Sequence, residues 1–408
     1  MSTATRLAPA SLPATAPAAA RAVFTLLRQL RIGTLDVQLP DGGQLRFGSG
    51  APEEPQAAVR LHNWRVCAAT LKSGDIGFAE TYIAGDWACN DLVSLLTLFI
   101  ANRDAIESMV YGHWWGRCLH RLRHLLNRNS RAGSQRNIHA HYDLGNDFYR
   151  LWLDDSMSYS SAWFNGDHAQ PLAQAQQAKM RRALAQCQLH PGQRLLEIGC
   201  GWGALAECAA REFGAQVNGV TLSSEQLAYA QQRLGQAGLA GQARLRFQDY
   251  RDIDDGPYDA IVSIEMFEAV GREYWSGYFR QVRRLLKPGG RACIQSITIR
   301  DDLFDRYVSG TDFIQQYIFP GGLLPSAQAF RAEAARHGLK VVDELAFGAD
   351  YAETLHRWRA EFMRRDRQVL GQGFDTRFLR IWEFYLAYCE AAFATGNTDV
   401  RQFTLQAA

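Results

Sequence analysis

No CxxC pair and no group of cysteines and histidines at metal-ligand spacing occurs in this sequence, although 8 cysteines are scattered from Cys67 to Cys389. Structural zinc is therefore not expected, and no metal ligands are assigned; the usage suits a reducing compartment better than a disulfide framework. Long apolar runs are missing too. The longest, "LVSLLTLFIA" from Leu92, contains Ser94 and Thr97 and has about half the length a membrane-spanning helix needs. Net charge is small, formally +2, so nothing pulls the whole chain toward nucleic acid, and partners have to be read from local patches. Residues 1–20, "MSTATRLAPASLPATAPAAA", lack the continuous apolar segment of a secretory signal. They read as a disordered tail, with the cytoplasm as the default location. Internal repeats are absent.

The chain is long: 408 residues with 47% hydrophobic and 21% charged content exceed one ordinary core, so two soluble domains are expected. Residues 21–110 show a mixed pattern, with "TLDVQLPDGGQLRF" forming a hairpin around Asp41-Gly42-Gly43 and helical stretches near Ser73 to Ile100. That predicts a small α+β N-terminal domain. Residues 111–137 follow as a basic helix and linker. Between Glu107 and Asp143 no acid occurs, while Arg117, Arg121, Arg123, Arg128, Arg131 and Arg136 interleave with Trp114, Trp115, Leu119, Leu122, Leu125 and Leu126. Two readings of this stretch stand: a solvated interdomain helix, or docking on an anionic membrane surface, where each cation contributes roughly 1 kcal/mol and Trp favours the headgroup level. A nucleic-acid partner has no recognition motif behind it.

In residues 138–408 strands and helices alternate. "RLLEIG" reads as a buried strand, "ALAECAAREFG" as a helix ending at Gly214, "QVNGVTL" as a second strand and "SSEQLAYAQQRLGQAG" as a helix capped by Ser223 or Ser224. "ARLRFQDY", "YDAIVSIEMF", "REYWSGYFRQVRRLLKPGG" and "RACIQSITI" continue the rhythm, which predicts an α/β, Rossmann-like, mostly parallel sheet with helices on both faces. The terminal "VRQFTLQAA" is expected to close the sheet as an edge strand.

In such sheets ligands bind beyond the carboxyl ends of the strands, and the first strand-to-helix turn is glycine-rich where a cofactor touches the main chain. Here that turn carries Glu197, Gly199, Gly201 and Gly203. A dinucleotide fingerprint needs GxGxxG and an acid ending the second strand, whereas this chain has GxGxG and "VTLSSEQ", whose Glu225 falls within the next helix. The pattern fits a cofactor without a pyrophosphate, whose amino acid end lies over the glycines and whose positive charge tolerates a nearby carboxylate. S-adenosylmethionine meets that description; a mere tight turn is the bland alternative.

Six strings occur in one order: "HYDLGNDFYRLWLDDSMSYSSAWF", "LLEIGCGWG", "GVTLSSEQ", "QDYRDI", "MFEAVG" and "FIQQYIFPGGLLPS". Together they resemble the cyclopropane fatty acid synthase family of S-adenosylmethionine-dependent lipid methyltransferases, which includes the mycolic acid cyclopropane synthases. The resemblance runs from about Ile138 to the C-terminus, and the N-terminal domain is similar to that of the phospholipid-acting members. It implies that Tyr159, Ser160, Glu197, Gly199, Gly201 and Gly203 lie against the methionine part of the cofactor. Thr221 and Gln226 would lie near the ribose, and Gln248, Asp249 and Tyr250 near the adenine. It implies an unsaturated phospholipid as partner, a cytoplasmic protein held peripherally at the inner face of the membrane, and leaves a homodimer open.

The chemistry implied is methyl transfer to an isolated cis double bond, a poor nucleophile that needs alignment in a dry site. A carbocation follows, which calls for aromatic faces and a base. In the family that base is bicarbonate. The resemblance puts Glu268, Tyr351 and the Ile297 backbone around it. Two positions depart from the family pattern: Ser161 stands where characterised members have the cysteine of "YSCA", and Gln295 replaces a histidine and cannot carry a proton at neutral pH. Glu265, an extra acid before Glu268, either compensates or is solvated. Loss of a proton from the added methyl would give a cyclopropane; loss from a neighbouring chain carbon would give a methyl-branched alkene. Phe313, Tyr317, Ile318, Phe319, Leu323 and Leu324 are candidates for the walls and lid of an acyl slot. Trp382 and Tyr385 are expected in the core. A methyltransferase for a soluble apolar substrate and a non-catalytic binding protein with a decayed site are the competing readings.

Overall fold

The computed structural model describes residues 12–106 and 144–407. The expected basic helix and linker, 111–137, lies outside the described residues, as do residues 1–11 of the expected tail. The rest of that tail is corrected: a helix starts inside it, at Ala18–Leu27. Ala20, Val23, Phe24 and Leu27 follow the i, i+3, i+4, i+7 spacing of a buried stripe, and all four are buried.

Alternation of apolar and polar residues produces the half-buried strands Thr34–Gln38 (β1), Gln44–Gly48 (β2) and Gln56–Leu61 (β3). β1 and β2 form the expected hairpin, with the Leu39 N–H donating to Gly43 O and the Gly42 N–H to Leu39 O. Trp87–Cys89 (β4) completes a sheet of order β2-β1-β3-β4, in which β1 and β3 are parallel. The longest apolar run becomes the helix Leu92–Ala101, capped by the Asp91 side chain. No helix among the described residues is long and apolar enough to cross a membrane.

The second sheet has seven strands: Arg194–Ile198 (β5), Gln216–Thr221 (β6), Ala243–Phe247 (β7), Tyr258–Ile264 (β8), Leu286–Ile299 (β9), Leu339–Ala346 (β10) and Thr398–Ala407 (β11). Their order is β10-β11-β9-β8-β5-β6-β7. The chain fills β5, β6 and β7 outward on one side, then returns to place β8 and β9 on the other, all parallel. The turn after β5 therefore sits at the point where the order reverses, which is where such sheets bind ligands.

β11 corrects the edge-strand expectation. It lies between β9 and β10 and is antiparallel to both. Val400, Phe403, Thr404 and Leu405 are completely buried, so both faces of this strand are covered, as an interior strand requires. The helices Gly348–Arg364 and Thr376–Ala394 lead into β11, and the second also packs against Leu92–Ala101. One core accordingly runs from Phe24, Trp87 and Leu95 through Trp358, Phe384 and Val400.

Candidate active site

The turn after β5 holds its shape through three left-handed glycines, Gly199 (φ +86°), Gly201 (φ +47°) and Gly203 (φ +82°). Other residues adopt this region only at a cost. Gly199 and Gly201 line a cavity above the carboxyl ends of β5 and β6. Gly203 lies between Trp202 and Ala204, which line it, but is not itself among the lining residues. A Cβ there would come within 2.9 Å of the Ala230 Cβ, so this glycine lets the following helix, Ala204–Phe213, approach the helix Ser224–Gln236.

Glu197 lines the same cavity at the end of β5. Its Oε2 is buried without a hydrogen-bond partner among the described residues, and burial pushes its pKa well above the usual carboxylate range. A cation arriving in the cavity would supply the missing partner. Thr221 and Gln226 line it from β6 and the next helix, joined by the Thr221 hydroxyl donating to Gln226 Oε1 at 3.2 Å. Gln248, Asp249 and Tyr250 line the far end, after β7. The Asp249 carboxylate is engaged by Arg251 at 2.5 Å, and burial pushes the Tyr250 phenol up to about 12.

Tyr159 and Ser160 reach the cavity from the loop "DSMSYSSAW". That loop is held by residues the sequence reading did not single out. The Lys179 ammonium donates to Ser160 Oγ at 2.5 Å, Gln176 donates to Ser160 O at 2.8 Å, and Arg233 donates to Ser156 O at 2.7 Å. Gln176 and Lys179 belong to a buried stripe of the helix Leu172–Gln186 that also contains Ala175, Met180 and Ala183. Two polar residues on an otherwise apolar helix face were the signal available. Burial lowers the Lys179 pKa to about 8, opposed by the charges of Glu265 and Asp154.

A second cavity adjoins the first, and Tyr159, Glu265 and Ala269 line both. Glu268, Tyr351 and Ile297 line the second. Their partners differ from expectation. Glu268 Oε1 accepts from the Ile297 N–H, and its Oε2 is buried without a partner among the described residues. Burial, reinforced by the negative charge of Glu265, raises the Glu268 pKa to about 8. Glu265 gathers the rest: the Ser161 N–H at 2.8 Å, Gln295 Nε2 at 2.7 Å and the Tyr351 hydroxyl at 2.6 Å. Burial raises the Glu265 pKa, while the Tyr351 hydroxyl, the Lys179 charge, the Ser161 N–H and Gln295 pull it down.

The second cavity is walled by Phe319, Leu323 and Leu324 from the insertion after β9 and by Tyr385 and Phe393 from the helix Thr376–Ala394. Phe313, Tyr317 and Ile318 are not among its lining, contrary to expectation. Phe313 is buried and stacked on Tyr317, with Phe384 edge-on at 4.9 Å. Trp382 stacks on Phe378 in the core as expected, and Tyr385 is buried in the same core while also lining the cavity, with its hydroxyl 2.7 Å from that of Tyr159. Leu324, Tyr307 and Tyr388 also line a third cavity, which continues to Phe99, Arg103 and Arg306. Among the described residues, no group of three or more His, Cys, Asp or Glu could hold a metal ion.

The mycolic acid cyclopropane synthetase family model matches residues 129–403. Tuberculostearic acid methyltransferase UfaA1 of Mycobacterium tuberculosis is 40% identical over 365 residues, covering 88% of this chain and 85% of that protein. Cyclopropane-fatty-acyl-phospholipid synthase of Escherichia coli is 35% identical over 359 residues, 88% of this chain and 90% of that one. Among solved structures, mycolic acid cyclopropane synthase CmaA1 complexed with SAH and CTAB matches over 67% of this chain and 98% of its own. Its sequence identity is 34% and its TM-score 0.63.

Proposed function

The chain belongs to the mycolic acid cyclopropane synthetase family and is an S-adenosylmethionine-dependent methyltransferase, and on that premise we propose that it methylates the cis double bond of an unsaturated fatty acyl chain in a membrane phospholipid. The observation that carries this reading is the junction of the two cavities at Tyr159, Glu265 and Ala269. One cavity carries the glycine turn and the unpartnered Glu197 oxygen, which suit a cationic cofactor. The other is walled by aliphatic and aromatic side chains, which suit an acyl chain.

When bound, S-adenosylmethionine supplies an electrophilic methyl group. The protein's own part is to hold the alkene at the junction, exclude water and face the developing positive charge with π surfaces. Tyr159, Tyr351, Tyr385 and Phe393 stand around the second cavity, and aromatic faces stabilise a cation without trapping it. Proton loss from the added methyl with ring closure gives a cyclopropane, the product this reading adopts. A methyl-branched or methylene product is the second reading. It is favoured by the 40% identity to a tuberculostearic acid methyltransferase and by Gln295 and Ser161 at positions that depart from the family pattern.

The membrane surface enters through the basic, Trp-containing stretch 111–137, which supports peripheral docking at an anionic inner leaflet. Mass spectrometry of lipids from cells producing the protein is expected to show acyl chains gaining one CH2 unit. Mild hydrogenation then separates the two products, because an alkene is reduced where a ring is not. Unchanged lipids would count against the function, and complete reduction would count against ring closure.

A further inference from the structure

The resemblance implies a bicarbonate as base, and the residues present do not fit it. Glu268, Tyr351 and the Ile297 N–H were expected to hold that anion, with Gln295 and Ser161 at the two altered positions. In the structure the Ser161 N–H and Gln295 Nε2 both donate to Glu265 Oε1, and the Tyr351 hydroxyl donates to Glu265 Oε2. The two remaining groups, Ile297 N–H and Glu268, are paired with each other. A bicarbonate would have to displace a carboxylate from its donors, or share a desolvated space with it as a like charge.

We infer, within the proposed function, that Glu265 is the catalytic base and takes the place of the bound anion. Gln295 is then the complement of Glu265. Its Oε1 accepts from Gln402 Nε2 at 3.0 Å, so its Nε2 is directed to Glu265, and a carboxylate needs a donor there. The two sequence peculiarities, an added acid at 265 and a glutamine at 295, are one substitution of base and support.

The backbone is shaped for this role. Glu265 has φ +49°, a left-handed conformation that L side chains adopt at a cost and that clusters at functional sites. Its N–H is tied to Gln295 O at 2.8 Å, so strand β9 fixes both ends of the residue. Glu265 lines both cavities, where the alkene and the donated methyl must meet.

The proton step balances. The π pair of the alkene forms the bond to the transferred methyl as its bond to sulfur breaks and sulfur keeps that pair, leaving a carbocation on the chain. A C–H bond of the added methyl then breaks, its electron pair closes the bond from that carbon to the cationic carbon, and the proton passes to a Glu265 oxygen. Cation and carboxylate become neutral lipid and neutral acid, and the acid releases its proton to solvent before the next turnover. Three hydrogen-bond donors on the carboxylate reduce its tendency to attack carbon and form an ester, while leaving lone pairs for a proton. Lys179, Tyr351 and Glu268 are the titratable groups facing Glu265. The three donors and the Lys179 charge favour the charged form of Glu265, while burial and the charge of Glu265 raise the Glu268 pKa.

The test uses the full-length protein, labelled S-adenosylmethionine and vesicles of dioleoyl phosphatidylglycerol, in buffer freed of carbon dioxide or supplemented with bicarbonate. Wild-type protein is expected to transfer at the same rate in both. Glu265→Gln should lose about 10²- to 10⁴-fold in rate, with S-adenosylhomocysteine still bound in calorimetry. Glu265→Gly suits the positive φ and opens the anion site. It should be inactive without bicarbonate, recover with it, and bind 13C-bicarbonate by NMR where the wild type does not. A wild-type enzyme that stops when bicarbonate is removed, or Glu265→Gln at full rate, would overturn the inference while leaving the function standing. No transfer by the wild type in either buffer would reject the function and this inference together.

Discussion

Gly201 and Gly203 lie two positions apart in one turn, and their surroundings differ. A Cβ on Gly201 would meet no protein atom within 4 Å, whereas one on Gly203 would strike Ala230. Gly201→Val should therefore abolish cofactor binding in calorimetry, because the side chain enters the cavity that Gly201 lines. Gly203→Ala should leave cofactor affinity nearly intact and lower stability by about 2 kcal/mol, from left-handed strain and helix contact together. Thermal unfolding alongside calorimetry checks both; a Gly203→Ala protein of unchanged stability would contradict the packing role.

At the scale of elements, the helix Asp75–Ile83 meets the insertion after β9 through half-buried acids. Asp75 Oδ2 accepts from the Tyr388 hydroxyl at 2.9 Å and from the Phe313 N–H at 3.2 Å. Burial, with Asp312 nearby, raises the Asp75 pKa from 3.8 to about 7. The folded protein thus binds more protons than the unfolded chain between those values, and stability is lost as pH rises through that window. Asp75→Asn should become the more stable protein as pH goes from 5 to 8, by on the order of 1–2 kcal/mol after discounting for solvent in the cavity. Parallel melting curves for the two proteins across that range would contradict it. Most strands and helices were legible, since β5 and β8 are short apolar runs and Ser223 and Gly214 cap helices where their chemistry requires, whereas Leu286–Gly290, read as the end of a helix, opens strand β9. The place of β11 was not, because its covering on both faces depends on β10 and on helices far along the chain. The candidate cavity residues were legible from the strand ends that carry them. The hydrogen-bond partners of Glu265 were not, since Ser161, Gln295 and Tyr351 are remote in sequence and meet only when the sheet and the helix Gly348–Arg364 assemble.

Across the whole molecule, the second and third cavities share Leu324, Tyr307 and Tyr388, and the third is lined in part by Ile76, Phe78 and Phe99 of the N-terminal region. Under the proposed function, a long acyl chain would run from the junction of the first two cavities past these shared residues toward Arg103 and Arg306. Leu324→Trp narrows that path. It should cut methyl transfer to long-chain phospholipid about tenfold without weakening cofactor binding, and equal rates in the two proteins would remove the path from the account. The most direct measurement of the central claim pairs purified protein and S-adenosylmethionine carrying a 13C methyl with vesicles of oleoyl or fully saturated stearoyl phospholipid. The account predicts that NMR of the extracted lipid finds the labelled carbon bonded to a former alkene carbon in the oleoyl chains, and none in the saturated lipid. Label in the headgroup, or equal label in both lipids, would contradict it.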